Sequence, residues 1–136
     1  MHIHVPGVIT SRSPLGQNLA TAITAGLTLE IKEESLDWQI DHHEAKLSHD
    51  QSNMIVSVAD RAAPGPLPHH LVLTTDLPVG MGLGGSNAAT LAGIKLADQL
   101  AELHLTEAQV VEIALGYEPF PAALQAALHG GMQTYD

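Results

Sequence analysis

The sequence predicts an α+β fold in which helices cover one face of a mostly antiparallel sheet. Alternating apolar and polar residues in the first third of the chain indicate strands, and helical spacing prevails after about residue 52. The resulting order of elements is β, β, β, α, β, α, α, α, which is typical of that fold class. A length of 136 residues corresponds to about one domain. We therefore expect residues 1–136 to form a single domain.

The first forty residues predict three strands. Residues 2–6 indicate a short first strand, and residues 27–31 alternate Leu, Leu and Ile with polar side chains, as a half-buried strand does. Trp38 and Ile40 continue that alternation after a short polar segment. We expect this third strand to be the hairpin partner of the second, across residues 33–37.

Helical patterns dominate the rest of the chain. Residues 54–62 show an apolar stripe at helical spacing after Asn53, and a proline-rich segment forbids the helix from continuing. A strand at residues 71–73 leads into a glycine cluster. A helix is predicted directly after the glycine cluster, and two more follow it. The first of these two starts at a capping box of Thr106 and Gln109, and the second covers residues 122–129.

The helix that follows the glycine cluster has an apolar stripe with small residues in it. Gly93 lies in that stripe, and its size predicts close packing of the helix on the sheet. Asp98 falls away from the stripe and is expected on the solvent side. The core must be built from Leu, Ile, Val and Ala, because aromatic residues make up only 3% of the chain and Trp38 is the single tryptophan.

Composition excludes several classes of function. The chain has five scattered cationic residues and fifteen acidic residues, which gives a formal net charge of −10. We therefore expect no nucleic-acid partner. The chain has no cysteine, no apolar N-terminal signal and no apolar run of membrane-spanning length. We expect neither secretion nor membrane association, and the expected location is the cytoplasm.

The segment PVGMGLGGSNAA at residues 78–89 carries the strongest functional signal. Glycines allow backbone N–H groups to turn towards an anion, and the N-terminus of the following helix adds unpaired N–H groups and a positive dipole end. Such a loop can hold phosphates without a lysine. A Walker A loop would need Gly-Lys-Ser/Thr, which is missing, and the G-x-G-x-x-G pattern lacks the second parallel strand of a dinucleotide fold. A glycine-rich turn that only packs tightly stays open as an alternative.

This segment resembles motif 2 of the GHMP kinase superfamily, P-x-x-x-G-L-G-S-S-x-A-A. Three further segments match in the same order, at residues 4–31, 91–105 and 114–131, and they resemble homoserine kinases more than other members. The resemblance implies a ribosomal-S5-like N-terminal domain that binds ATP and Mg²⁺. It also implies an enzyme of threonine biosynthesis that transfers the γ-phosphate of ATP to the hydroxyl of homoserine.

The resemblance also implies roles for individual residues. Ser86 and Glu118 would be catalytic, holding Mg²⁺ through a hydroxyl and a carboxylate, and Ser11 and Gln17 would contact the small-molecule substrate. The residues that would wrap the triphosphate are Pro78, Gly80, Gly82, Leu83, Gly84, Gly85, Ser86, Asn87 and Ala88. Ser86 as a helix N-cap and Glu118 as a solvated acid are the simpler alternatives.

Several departures from the family pattern accompany this resemblance. Ser11 and Gln17 replace Asn and Asp, Gly85 replaces a serine, and Ala122 and Ala123 replace the Asp and Asn of G-H-P-D-N. These kinases continue into a C-terminal domain about as long again, so we expect a missing C-terminal domain or a homo-oligomer. The alternatives are an inactive GHMP-like regulatory or interaction module and a GHMP kinase for another small alcohol such as mevalonate.

Overall fold

The computed structural model describes residues 1–12, 18–44, 47–77, 84–118 and 121–135. It confirms the α+β fold class, with a five-stranded sheet in the order β3-β4-β2-β1-β5. The strands are β1 (His2–Arg12), β2 (Asn18–Glu34), β3 (Gln39–Asp41), β4 (His69–Thr75) and β5 (Gln133–Tyr135). The helices are α1 (Met54–Ala62), α2 (Gly85–Ala101), α3 (Glu107–Leu115) and α4 (Pro121–His129).

β1 and β2 form a long antiparallel hairpin at the centre of the sheet. Its register runs from His2 opposite Glu30 to Arg12 opposite Asn18, with an irregularity between Pro6 and Val8. Both strands are much longer than the predicted residues 2–6 and 27–31. The outer half of the hairpin is rich in Ala and Thr, which show no clear apolar alternation, so pairing between the strands defines it.

The predicted hairpin between the second and third strands is wrong. β3 pairs in parallel with β4, with Ile40 opposite Leu71, and β4 occupies the edge of β2, with Leu29 opposite Leu73. Parallel neighbours need a crossover connection, which α1 supplies between β3 and β4. Local alternation indicates that a segment is a strand but does not identify its partner. Trp38 precedes β3 and is buried, with its indole Nε1–H donating to Asp60 Oδ1 at 3.1 Å.

β5 is an element that the sequence patterns did not predict. Its three residues pair antiparallel with β1, with His2 opposite Tyr135 and His4 opposite Gln133. Residues 133–135 do not alternate between apolar and polar side chains, so only the hydrogen bonding to β1 reveals this strand.

The helices cover one face of the sheet. α2 and α4 pack on β1 and β2, α1 packs on α2, and α3 lies against α2 and α4. Asn53 caps α1, and Thr106 with Gln109 forms the predicted capping box of α3. Within the described ranges, no helix is both long and apolar enough to cross a membrane.

α2 departs from its prediction at two positions. A Cβ at Gly93 would lie 2.5 Å from the Ile55 carbonyl oxygen, so this glycine lets α2 approach α1, not the sheet. Asp98 was expected on the solvent side, but it is buried, and its Oδ1 accepts a hydrogen bond from the Leu105 N–H at 3.1 Å. The carboxylate is satisfied by the backbone turn after the helix, an interaction that helical periodicity cannot indicate.

A histidine bridge joins three strands on the other face of the sheet. His70 of β4 contacts Asp41 Oδ2 of β3 through Nε2 at 2.7 Å and Glu33 Oε1 of β2 through Nδ1 at 3.2 Å. Both ring nitrogens donate only when the imidazole is protonated. The hydrogen bond to Asp41, with that to Glu33, therefore raises the pKa of His70.

Candidate active site

A cleft of about 620 Å³ opens at the start of α2. Its walls come from β1, β2, β4, α1, α2 and α4, together with the segments before α1 and after α3. Most of the wall is aliphatic. The polar residues that line it are Thr10, Ser48, Ser52, Asn53, Thr75, Ser86, Asn87 and Glu118.

The N-terminus of α2 faces this cleft and has no side-chain cap. Gly84 is the N-cap residue in the left-handed region, with φ of 79°, and among the described residues no side chain accepts a capping hydrogen bond from the first-turn N–H groups. A Cβ at Gly84 would lie 2.8 Å from Val8 Cγ2 and 2.9 Å from the Val8 backbone nitrogen, so β1 passes close by. The first N–H groups of a helix lack intrahelical partners and carry partial positive charge. This end of α2 is therefore suited to an anion.

Ser86 and Glu118 meet at the mouth of the cleft, although they are far apart in sequence. The Ser86 hydroxyl donates a hydrogen bond to Glu118 Oε1. Glu118 follows α3, and its backbone N–H donates to the Ala114 carbonyl at 2.8 Å, which fixes the chain at that point. The fold thus joins the two residues that the sequence resemblance assigned to one site.

Asn53 lines the cleft at the start of α1. Its Oδ1 accepts from the Ile55 N–H at 3.0 Å and its Nδ2 donates to the Ser48 carbonyl at 2.9 Å. Both ends of the amide are therefore used to hold the start of α1 against the preceding loop. Sequence analysis identified Asn53 only as a helix boundary. The cleft is also lined by Thr10 of β1 and Thr75 of β4, two strands that lie on either side of β2.

The described lining of the cleft contains no basic side chain. Lys95 lies about 14 Å from Ser86 along the axis of α2, as follows from the ~1.5 Å rise per residue of a helix. Its Nζ is engaged there with Asp98 Oδ2 at 3.4 Å. Neutral donors must therefore contribute most of the binding to an anion in the part of the cleft that is described.

The donor set at Ser86 and Glu118 fits a magnesium ion. Mg²⁺ prefers oxygen ligands and is commonly held by one or two protein groups together with phosphate oxygens and water. A hydroxyl and a carboxylate in direct contact match that requirement. In the parts of the chain that the structure describes, no group of three His, Cys, Asp or Glu side chains could hold a metal. A magnesium ion held by Ser86 and Glu118 would complete its coordination with water or phosphate oxygens.

Other predicted site residues are only partly described. Gly84, Gly85 and Asn87 line the cleft, whereas the Ala88 N–H already donates to the Gly84 carbonyl at 2.8 Å. The Ser11 backbone belongs to β1, opposite Leu19, and its side chain lies outside the described residues. The predicted positions that lie wholly outside them are Gln17, Pro78, Gly80, Gly82 and Leu83.

Comparison with known proteins identifies relatives of this chain. The chain is 39% identical over 132 residues to a homoserine kinase of Limosilactobacillus fermentum, covering 97% of this chain and 46% of the relative. It is 40% identical over 131 residues to a homoserine kinase of Listeria innocua, again covering 46% of that protein. The chain therefore spans about half the length of the curated relatives it matches.

Solved structures agree with this relationship. A Listeria monocytogenes protein described as a homoserine kinase superposes with a TM-score of 0.85 at 40% identity, over 90% of this chain and 45% of the other. Mevalonate kinase of Methanococcus jannaschii shares the fold, with a TM-score of 0.72 at 15% identity over 100% of this chain and 56% of the other. The family model "GHMP kinases N terminal domain" matches residues 53–131. This chain belongs to the GHMP kinase N-terminal domain family.

Proposed function

We propose that residues 1–136 form the N-terminal, ATP-binding domain of a homoserine kinase-like phosphotransferase. Such an enzyme transfers the γ-phosphate of ATP to the hydroxyl of homoserine and requires a C-terminal domain to complete the protein. The contact between Ser86 and Glu118 at the uncapped N-terminus of α2 carries the proposal. The homoserine kinases that match the chain at about 40% identity support the choice of acceptor.

In this proposal the cleft residues bind and orient the phosphates. The N-terminus of α2 binds the phosphate chain through backbone N–H groups, and Ser86 with Glu118 holds Mg²⁺. The bound ion would neutralise charge on the phosphates. Transfer breaks the bond between the γ-phosphorus and the β–γ bridging oxygen, which leaves with ADP, and forms a bond to the acceptor oxygen, whose proton passes to solvent. Positioning and charge stabilisation supply most of the catalysis in reactions of this kind.

A second candidate function follows from the residue at position 123 in the cleft lining. Ala123 lies in the cleft wall, where the family pattern has an asparagine, and its side chain offers no hydrogen bond. This observation favours either a nucleotide-binding module without homoserine kinase activity or a kinase for another small alcohol such as mevalonate. Incubation of residues 1–136, joined to the C-terminal domain that the proposal requires, with MgATP and either homoserine or mevalonate separates these functions, since only a kinase releases ADP in proportion to a phosphorylated alcohol.

A nucleotide titration tests the proposed binding site. We expect MgATP to shift the backbone amide resonances of Gly85, Ser86 and Asn87 in a saturable manner. Glu118→Gln should weaken the effect of Mg²⁺ on ATP binding, because it replaces the carboxylate at the proposed metal site. Glu112→Gln is the matched control, since Glu112 is an exposed acid on α3 outside the cleft lining. Shifts confined to another surface, or equal effects of the two variants, would contradict the proposal.

A further inference from the structure

The side-chain amide of Asn87 is an unusual feature of the cleft. Asn87 lies in the first turn of α2, beside Ser86, and is only 5% exposed to solvent. Among the described residues, neither its Nδ2 nor its Oδ1 has a hydrogen-bond partner. A buried amide without a partner destabilises a folded protein, so such groups are rare and call for an explanation.

The surroundings of Asn87 favour a ligand as the missing partner. The residue lines the cleft and lies at the end of α2 where the N–H groups of the first turn receive no side-chain cap from the described residues. The two other polar side chains in this part of α2 are already engaged, Ser86 with Glu118 and Thr90 with the Ser86 carbonyl at 2.9 Å. The Asn87 amide is thus the free side-chain donor in the described part of the α2 N-terminus.

We propose that the Asn87 side-chain amide binds a phosphate oxygen of the nucleotide, with Nδ2–H as the donor. This inference rests on the proposed nucleotide site and adds a specific side-chain contact to it. An anion needs donors, and the described cleft lining offers no basic side chain, so a neutral amide N–H beside the helix terminus suits a phosphate. Oδ1, which cannot face an anion, would accept a hydrogen bond from water around the phosphates. Rotation of the side chain towards the cleft would accompany binding.

Asn87→Leu tests this contact, because leucine has a similar size and no polar atom. We expect the affinity for MgADP to fall roughly tenfold, the loss expected for one hydrogen bond to a charged group. The affinity for adenosine, which has no phosphate, should stay unchanged. Urea unfolding of the ligand-free protein should shift to a higher midpoint, since the variant removes an unpaired buried amide. A purely structural asparagine would give a lower midpoint.

Asn87→Asp and Asn87→Ala complete the set. Aspartate keeps the shape but places a carboxylate near the phosphates, so its MgADP affinity should fall below that of the leucine variant. If aspartate binds MgADP as well as the native protein does, the donor role is overturned. Asn87→Ala provides the same deletion of the amide if leucine prevents folding.

The outcomes also separate this inference from the proposed function. If the native protein binds no MgADP, both are overturned. If the native protein binds MgADP and the leucine and alanine variants bind it within twofold as tightly, only the role of Asn87 is overturned. Weaker MgADP binding with unchanged adenosine binding supports both.

Discussion

Gly84 and Gly85 are adjacent in the chain, yet alanine at these two positions should change the free energy of unfolding in opposite directions. Gly84 adopts φ of 79°. A Cβ there would lie 2.8 Å and 2.9 Å from two atoms of Val8, one of them the backbone nitrogen. Gly85 is the first residue of α2, and a Cβ there meets no atom of the described residues within 4 Å.

The magnitudes follow from these environments. At Gly84 the left-handed conformation costs an alanine about 1–2 kcal/mol. Displacing Val8 adds about 1–3 kcal/mol. The unfolded alanine variant has less conformational entropy than the unfolded native chain, which offsets about 0.4–1 kcal/mol of this destabilisation. We therefore expect Gly84→Ala to destabilise the domain by about 1–5 kcal/mol. Gly85→Ala should stabilise it by about 0.5–1 kcal/mol, through the entropy term and helix propensity.

Urea unfolding monitored by far-ultraviolet circular dichroism measures both changes. The two variants should move the unfolding midpoint to opposite sides of the native value with an unchanged slope. Equal signs for the two changes, or a smaller loss at Gly84 than at Gly85, would refute the reasoning. Gly85→Ser, which restores the serine of the family pattern, should also fold, because the described structure leaves space for its side chain.

Three further predictions concern parts of the fold outside the cleft. His70 has a raised pKa, so its bridge should stabilise the domain fully below pH ~6.5 and lose that contribution as the pH rises through the raised value. The urea midpoints of His70→Gln and the native protein should accordingly differ at low pH and converge at high pH. His43 is an exposed histidine, so the urea midpoint of His43→Gln should equal that of the native protein at every pH. Gly93→Ala should destabilise the domain by about 1–3 kcal/mol, because the new Cβ meets rigid backbone of α1; an unchanged urea midpoint would contradict this. Thr106→Ala should lower the free energy of unfolding by about 1 kcal/mol in the same assay, because it removes a capping hydrogen bond. Thr106→Ser keeps a capping hydroxyl and should therefore keep most of that stability.

The helix boundaries were largely predictable because local chemistry determines them. Asn53 caps α1 through its own side chain, Thr106 and Gln109 satisfy each other at α3, and the prolines after Ala62 remove the donors that a longer α1 would need. Strand pairing was less predictable. The alternation at Ile40 is the same whether β3 pairs with β2 or with β4, since a period of two residues specifies a buried face and not a neighbour.

The candidate site also combines features that the sequence predicted with features that only the packed structure reveals. Ser86 and Glu118 were identified through sequence resemblance, but their direct contact depends on how α3 packs against α2. Asn53 and Thr10 gave no functional signal in the sequence, because an asparagine before a helix and a threonine in a strand are common. Asn87 appeared only as part of the loop pattern, and its buried, unpaired amide becomes visible only in the packed structure.

The sequence by itself determined the fold class, the helix ends and the presence of a glycine-rich segment before α2, since each depends on residues close together in the chain. The tertiary structure decided the parallel pairing of β3 with β4, the addition of β5, the burial of Asp98 and the meeting of Ser86 with Glu118. These features join segments that are distant in sequence. Their formation depends on which apolar faces pack together and which buried polar groups find partners, and local patterns do not encode that choice.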